Sequence, residues 1–143
     1  DRNTCCFNPI PVVVAASQAT AIGVGVAVSL ATNTVNTVPK IVAASGAPAT
    51  DIFGFTFIHA HKNVFAANSR TDVLPLGSGA IIYLKAGSSF SAGAKLAYNA
   101  TAGTVGAAAS TNEIIGQALI GAAASGDLVP VYLNQQVGTK ASS

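Results

Sequence analysis

Large and small residues alternate along IGVGVAVSL, residues 22–30, which is the clearest periodic pattern in the chain. Isoleucine, valine and leucine occupy every second position, and glycine, alanine and serine fall between them. A period of two with β-branched residues predicts a strand rather than a helix. The face of small residues would let another backbone approach closely.

Other short apolar runs, separated by turn residues, predict that the whole chain is β. DIFGFTFIHAH, which begins at Asp51, carries apolar groups on both faces and is predicted to be a central strand. Further strands are predicted at Val12–Val14, PKIVAAS, AIIYLKAG, EIIGQALIGA and LVPVYL. Turns are predicted at GAP, GSG and AASGD.

The two halves of the chain repeat one pattern. GVAVSLA from Gly25 matches GAKLAYN from Gly93, and DIFGFTFI from Asp51 matches EIIGQALI from Glu113. We therefore expect a single β domain over residues 12–143, with halves at about 21–58 and 91–133 that close a small antiparallel barrel or sandwich.

The repeated phrase contains two glycines and two acids to which we assign structural roles. Gly54 and Gly116 lie in the middle of apolar strands, where glycine permits a bulge or the close approach of another backbone. Asp51 and Glu113 precede these strands, where a carboxylate can accept backbone N–H bonds in a turn. Their use as an acid–base pair is the less economical alternative.

Charge is scarce, and this bears on partners. Only 8% of the residues are charged, compared with about 25% in ordinary soluble domains. Because a free monomer normally keeps a more charged surface, we expect much of this surface to face other subunits or a larger assembly. A net charge of +2, with scattered Lys and Arg, gives no basic patch, so no nucleic-acid partner is expected.

Residues 10–31 form an uncharged stretch long enough to cross a membrane. Pro9 and Pro11 at its start, several polar residues and the alternation after Ile22 argue against a spanning helix. No membrane partner is therefore expected.

Residues that could carry chemistry are few. His59 and His61 could meet one metal ion from one face of a strand, but they are the only histidines, so no metal site is predicted. Cys5 and Cys6 are adjacent, which would strain a mutual disulfide, and free thiols are expected. Common nucleophile, phosphate-loop and zinc-protease motifs are absent. We predict no enzyme activity, no catalytic residues and no cofactor.

The second half, Ser91–Leu133, resembles the small capsid decoration (cement) proteins of tailed bacteriophages. The matching positions are Ala92-Gly93, the run IGQAL at Ile115–Leu119, and the run ASGDLVPV at Ala124–Val131. GSGAIIYLKAG fits the strand that commonly comes before them. Through the internal repeat the first half fits more loosely, and the resemblance covers about two thirds of the chain.

The resemblance implies a structural virion protein. Members of that family bind the outside of an expanded capsid, often as trimers, and clamp neighbouring capsid subunits. The implied partners are the major capsid protein and further copies of this chain. The implied location is the outer capsid surface, after assembly in the host cytoplasm. The alternatives are a receptor- or carbohydrate-binding β module of a phage fibre or spike, and a lattice-forming bacterial surface protein.

Residues 1–11 show no periodicity and are predicted to form an extended N-terminal arm. Phe7, Pro9, Ile10 and Pro11 are the predicted contacts with the capsid or a neighbouring subunit. Proline stiffens such an arm and lowers the entropy lost on docking. Burying Phe7 and Ile10 would contribute roughly 3–6 kcal/mol before ordering costs.

Overall fold

The computed structural model describes residues 9–32, 38–57 and 64–141, and within these ranges the protein is entirely β. The strands are, in chain order, β1 (Ile10–Val14), β2 (Ile22–Gly23), β3 (Ala27–Leu30), β4 (Lys40–Ala43), β5 (Gly54–Thr56), β6 (Val64–Phe65), β7 (Arg70–Pro75), β8 (Ile81–Lys85), β9 (Lys95–Asn99), β10 (Thr104–Ala107), β11 (Gly116–Ala118) and β12 (Leu128–Tyr132). The predicted all-β class is confirmed. The described residues contain no helix long and apolar enough to cross a membrane.

The first half, β1 to β7, contains a closed barrel with the strand order β1-β4-β3-β5-β7. Strands β1 and β4 run parallel, with Val13 opposite Lys40, and the other neighbouring pairs are antiparallel. Strands β2 and β6 form a separate two-stranded sheet, from which Ile22 and Phe65 are buried in the barrel core. Closure leaves the barrel without a free edge.

The second half, β8 to β12, forms an antiparallel sheet with the order β10-β9-β11-β12-β8. Its two outer strands approach each other through a parallel bridge between Ala86 and Val105. The N–H of Gly87 donates to the carbonyl oxygen of Val105 at 2.8 Å. The second sheet therefore curls towards closure at the same place where β1 meets β4 in the first half.

The sequence repeat is a repeat of hydrogen-bonding register. Val28 lies opposite Gly54 in the first half, and Leu96 lies opposite Gly116 in the second. In the same way, the pairing of Val14 with Ile41 corresponds to that of Ala86 with Val105. Strands β1, β3, β4, β5 and β7 therefore correspond to β8, β9, β10, β11 and β12.

The turn glycines of the repeat also correspond. Gly25 and Gly93 both have positive φ, of 75° and 85°. Their N–H groups donate to Thr56 and Ala118, which occupy matching positions in β5 and β11. Because L side chains rarely adopt this φ, glycine is needed at both turns.

Two expectations about the repeat need correction. Each half builds a barrel-like sheet of its own, whereas we expected the halves to close one barrel together. Each half also begins one strand earlier than expected, at β1 and at β8. The reason is the parallel contact of this first strand with β4 or β10, which turns five strands back on themselves.

The predicted boundary of the N-terminal arm is also wrong. Ile10 and Pro11 belong to β1, opposite Val73 and Asp72 of β7, and residues 1–8 lie outside the described ranges. The N–H groups of Val13 and Ala15 point towards the β4 side. The backbone nitrogen of Pro11 faces the same side, but Pro11 lies before the β1–β4 pairing begins. The N–H that proline lacks would therefore have no partner in β4.

The alternating segment 22–30 is broken in the middle. β2 ends at Gly23 and β3 begins at Ala27, with a turn at Val24 and Gly25. The N–H groups of Gly25 and Val26 bind Thr56 there, which needs the positive φ of Gly25. Val24 in this turn is exposed, and so is Leu30 at the end of β3, although we expected the large residues to share one buried face.

The apolar core has two parts. One fills the first barrel and consists of Val12, Val14, Ile22, Val28, Ile41, Phe65 and Val73. The other fills the second half and continues across its contact with the first half, where Ala27, Ile52, Phe55 and Leu74 join it. We call this contact the junction.

Gly54 and Gly116 allow neighbouring strands to approach closely, as one of the two predicted roles requires. A Cβ on Gly54 would lie against Leu74 O and 2.7 Å from Val73 Cγ1. A Cβ on Gly116 would lie against Tyr132 O and 3.0 Å from Val131 Cγ1, which is the matching environment. Neither glycine has positive φ, so backbone approach rather than an unusual conformation explains both.

Candidate interaction surface

The predicted contact residues of the arm are largely committed to the fold. Ile10 packs against the first barrel core, so it is not a free anchor for another subunit. Pro11 is exposed on β1 and Pro9 is half-buried, while Phe7 lies outside the described residues. The role proposed for the segment before β1 stays a prediction.

The junction is held by aromatic packing. The rings of Phe55 and Tyr98 meet edge to face, with centroids 5.4 Å apart. Burial raises the pKa of the Tyr98 hydroxyl, and a backbone hydrogen bond with Ala27 opposes this rise. Tyr98 is therefore an internal group and offers no surface for stacking a ligand.

Glu113 connects the halves through its carboxylate. It is buried, and its oxygens accept the N–H of Asp51 at 2.8 Å and that of Ile52 at 3.4 Å. The predicted capping role is right in kind for Glu113, but the turn that it caps belongs to the other half. Asp51 supplies one of the donors, so the geometry joins the two residues structurally.

Five of the ten exposed large hydrophobic side chains of the described residues lie on or next to three adjacent strands of the second half. Tyr83 on β8 lies opposite Pro130 on β12, and Ile81 lies opposite Tyr132. Leu119, which follows β11, donates its N–H to Pro130 O at 3.1 Å and so extends the row to the third strand. We call these residues, together with Leu128, the outer apolar face.

The outer apolar face is well exposed to solvent. Tyr83 is 67% exposed, Leu128 63% and Ile81 53%. Contiguous apolar patches on a soluble surface mark interaction sites more often than scattered single residues do. Cross-strand neighbours lie close enough to form one continuous surface.

The fold itself does not require an apolar surface there. In the matching register of the first half, Tyr83 corresponds to Pro11, Leu128 to Arg70 and Pro130 to Asp72. On the outer face of β7 the first half thus carries Arg70 and Asp72, where β12 of the second half carries Leu128 and Pro130. The apolar residues of the second half therefore point to a contact beyond the folded chain.

Polar groups border the face on two sides. Lys85 lies opposite Leu128 at one end. At the other, the Gln117 amide donates to Gly93 O at 3.0 Å and accepts from Asn134 Nδ2 at 3.2 Å. An apolar centre with a polar border is the usual anatomy of a protein interface.

Little in the described residues suggests a chemical site. Within the ranges 9–32, 38–57 and 64–141 no three His, Cys, Asp or Glu residues come together as a metal site would need. His59, His61, Cys5 and Cys6 lie outside these ranges. Asp127, the acid of the ASGDLVPV run, accepts the N–H groups of Ala123 and Ala124 at 2.9 and 3.1 Å and so shapes the turn before β12.

Sequence reasoning missed the outer apolar face, although a signal was present. AIIYLK and LVPVYL are apolar at both odd and even positions. That pattern is typical of a strand buried on both faces, so it predicts a strand without predicting an exposed apolar face. The structure buries Leu84, Val129 and Val131 and leaves Tyr83 and Leu128 exposed.

Comparison with known proteins adds no family to these observations. No family model matches the sequence, and no curated protein is similar enough to count as a relative.

Proposed function

We propose that the protein is a structural virion protein that binds the outer surface of a phage capsid and stabilises its lattice, as a decoration or cement protein. Its partners would be the major capsid protein and further copies of itself in a trimer. The role needs no catalytic residue and no cofactor, and involves neither nucleic acid nor a membrane.

The observation that carries the proposal is the outer apolar face of the second half. It exposes Leu128 where the first half, with the same register, exposes Arg70, and the exposed Tyr83 and Ile81 of β8 extend the apolar surface beside it. Exposing such groups lowers solubility unless a partner covers them. A row of side chains across neighbouring strands suits another protein surface, whereas a small ligand usually needs a concave pocket.

Two features of the sequence support the capsid as that partner. The low charged fraction, 8%, fits a chain whose surface is covered in an assembly. The resemblance of Ser91–Leu133 to capsid decoration proteins covers the half that bears the face. Leu128 and Pro130 belong to the resembling run ASGDLVPV itself.

The experiment is a binding assay on expanded capsids that lack this protein, prepared from the phage that encodes it. Leu128→Glu places a charge within the proposed contact. Burying a leucine is worth about 1.5–3 kcal/mol, and each 1.4 kcal/mol changes affinity tenfold. We expect the affinity to fall by at least about tenfold, as measured by co-sedimentation with capsids.

Val64→Glu is the matched control. Val64 is 56% exposed on β6 of the first half, so the chemistry of the change is the same away from the face. The control should bind as the unchanged protein does. Equal binding of both variants would show that the outer apolar face does not contact the capsid. Absence of binding by the unchanged protein would show that the capsid is not its partner.

One observation favours the second candidate, a receptor- or carbohydrate-binding module. Tyr83 and Tyr132 are both exposed and lie on the same face, although the sequence places them far apart. Sugar rings stack on exposed aromatic side chains. Saccharide binding in a glycan array that Tyr83→Ala abolishes, without binding to capsids, would select this function.

A further inference from the structure

The second half has a surface equivalent to the one that the first half contributes to the junction, and this surface is only partly covered. In the junction, Ala49 of the first half donates its N–H to Tyr98 O at 2.8 Å, and the Glu113 carboxylate accepts the N–H of Ile52. The repeat places Thr111 and Ile114 of the second half where Ala49 and Ile52 stand in the first. These two N–H groups need partners of their own.

The partners come from the C-terminal segment Thr139–Ala141, which we call the strap. Thr111 donates to Ala141 O at 3.0 Å, and Ile114 donates to Thr139 O at 2.8 Å. Ala141 in turn donates to Asn112 O at 2.9 Å. The strap thus binds the second half at the position equivalent to the one where the second half binds the first.

The strap supplies backbone hydrogen-bond partners, but it does not fill the space that side chains fill at the junction. A groove of about 400 Å³ remains beside it, lined by Ala94, Lys95, Ala107, Ala108, Ile114 and the strap itself. In the first half the corresponding residues Ala27, Ala44 and Ile52 pack into the core shared with the second half. The site on the second half therefore has room for a side chain that the strap does not supply.

The first half carries the matching projection. Leu30 corresponds to Tyr98, the aromatic residue that enters the junction, and it is 53% exposed. Asp51 corresponds to Glu113, whose carboxylate caps the turn across the junction, and it is exposed. The first half thus presents the counterparts of two residues that hold the junction, and the second half presents the counterpart of the surface that receives them.

We propose that the groove beneath the strap is a docking site for the first half of a second copy, with Leu30 as the entering side chain. The strap covers this site and limits association to the two halves of one chain. Displacement of the strap allows a head-to-tail contact, which grows into a ring or a filament. This inference goes beyond capsid binding, because it uses neither the outer apolar face nor the capsid.

The test uses a shortened protein that ends at Gln135. Sedimentation velocity measures the mass of its species as a function of concentration, and the full chain is measured in the same way for comparison. We expect the shortened protein to form larger species as concentration rises, at concentrations where the full chain does not change. In the shortened protein Leu30→Glu should reverse the effect, and Val64→Glu, an equally exposed position elsewhere on the first half, should not.

Circular dichroism establishes whether the shortened protein keeps its β structure. If it unfolds, Ala141→Pro in the full chain decides, because it removes the N–H that binds Asn112 O and restricts the backbone of the strap while leaving the rest of the chain unchanged. A folded variant with the mass distribution of the full chain would overturn the proposal. So would association that Leu30→Glu leaves unchanged.

Discussion

Adding one methyl group to Gly116 tests the packing of the second half at its tightest point. In Gly116→Ala the new Cβ would press on Tyr132 O, 3.0 Å from Val131 Cγ1 and 3.1 Å from Tyr132 C. Two of these three neighbours are backbone atoms, so β12 must shift away from β11 to make room. Overpacking of this kind costs about 1–3 kcal/mol.

A smaller effect opposes that cost. Replacing glycine by alanine narrows the unfolded ensemble and stabilises by about 0.4–1 kcal/mol where the native geometry accepts it. We therefore expect a net loss of roughly 1–2 kcal/mol for Gly116→Ala. Gly54→Ala should cost at least as much, because its Cβ would meet Val73 Cγ1 at 2.7 Å and Pro75 Cα at 2.8 Å.

Urea unfolding monitored by circular dichroism measures these changes as shifts in midpoint at constant slope. Gly106→Ala is the matched control, since Gly106 lies in the same sheet without positive φ and its nearest contact would be Ser88 Oγ at 3.5 Å. The control should leave stability unchanged or slightly raised. If Gly116→Ala proved as stable as Gly106→Ala, close strand approach would not explain the glycine.

Three further changes probe the polar contacts. Glu113→Ala leaves the buried N–H of Ile52 without its acceptor and should cost about 1–3 kcal/mol in urea unfolding, with Lys95→Ala, an exposed change on β9, as a neutral control. Thr56→Val removes a hydroxyl that donates to Gly23 O at 2.6 Å and accepts the N–H of Val26 at 3.1 Å, so it should cost a similar amount; a loss below about 0.5 kcal/mol would contradict this. Because the pKa of Tyr98 is raised, its hydroxyl stays protonated in the folded state at a pH near 10, where the phenol of the unfolded chain ionises. Stability that is fully present below that pH is therefore lost as the pH rises through the raised pKa. Tyr98→Phe should lose less stability than the unchanged protein between pH 9 and about pH 11, and an equal loss would refute the assignment.

The repeat could be predicted because both halves need glycine at equivalent positions of the backbone. Gly25 and Gly93 supply positive φ at equivalent turns, and Gly54 and Gly116 make room for a neighbouring strand. Such requirements depend on local chain geometry and leave a trace in single residues. For this reason the halves were recognised without knowledge of the topology.

The closure of each half could not be predicted in the same way. It depends on a parallel contact between β1 and β4, and between Ala86 and Val105, which are distant in sequence and made of ordinary apolar residues. Nothing in VVV or in TVGA distinguishes a strand that closes a barrel from one that lies at an edge. The arm boundary failed for the same reason, because Pro11 is acceptable only where β4 has not yet begun.

The sequence showed that AIIYLK and LVPVYL are apolar on both faces, but it could not show which face stays exposed, because burial of a face depends on what packs against it. Phe55 and Gln117 stand at equivalent positions, yet Phe55 is buried at the junction and Gln117 lies at the surface. The chain alone does not say which half covers which. A shared fold also does not decide function, so the role must be argued from the outer apolar face itself.

The most direct test of the central claim is a cryo-electron microscopy map of expanded capsids, initially lacking this protein, after incubation with it. We expect ordered density on the outer capsid surface into which the chain fits with Tyr83 and Leu128 against the capsid protein. Density in which the outer apolar face points to solvent, or capsids that remain bare at saturating protein, would contradict it.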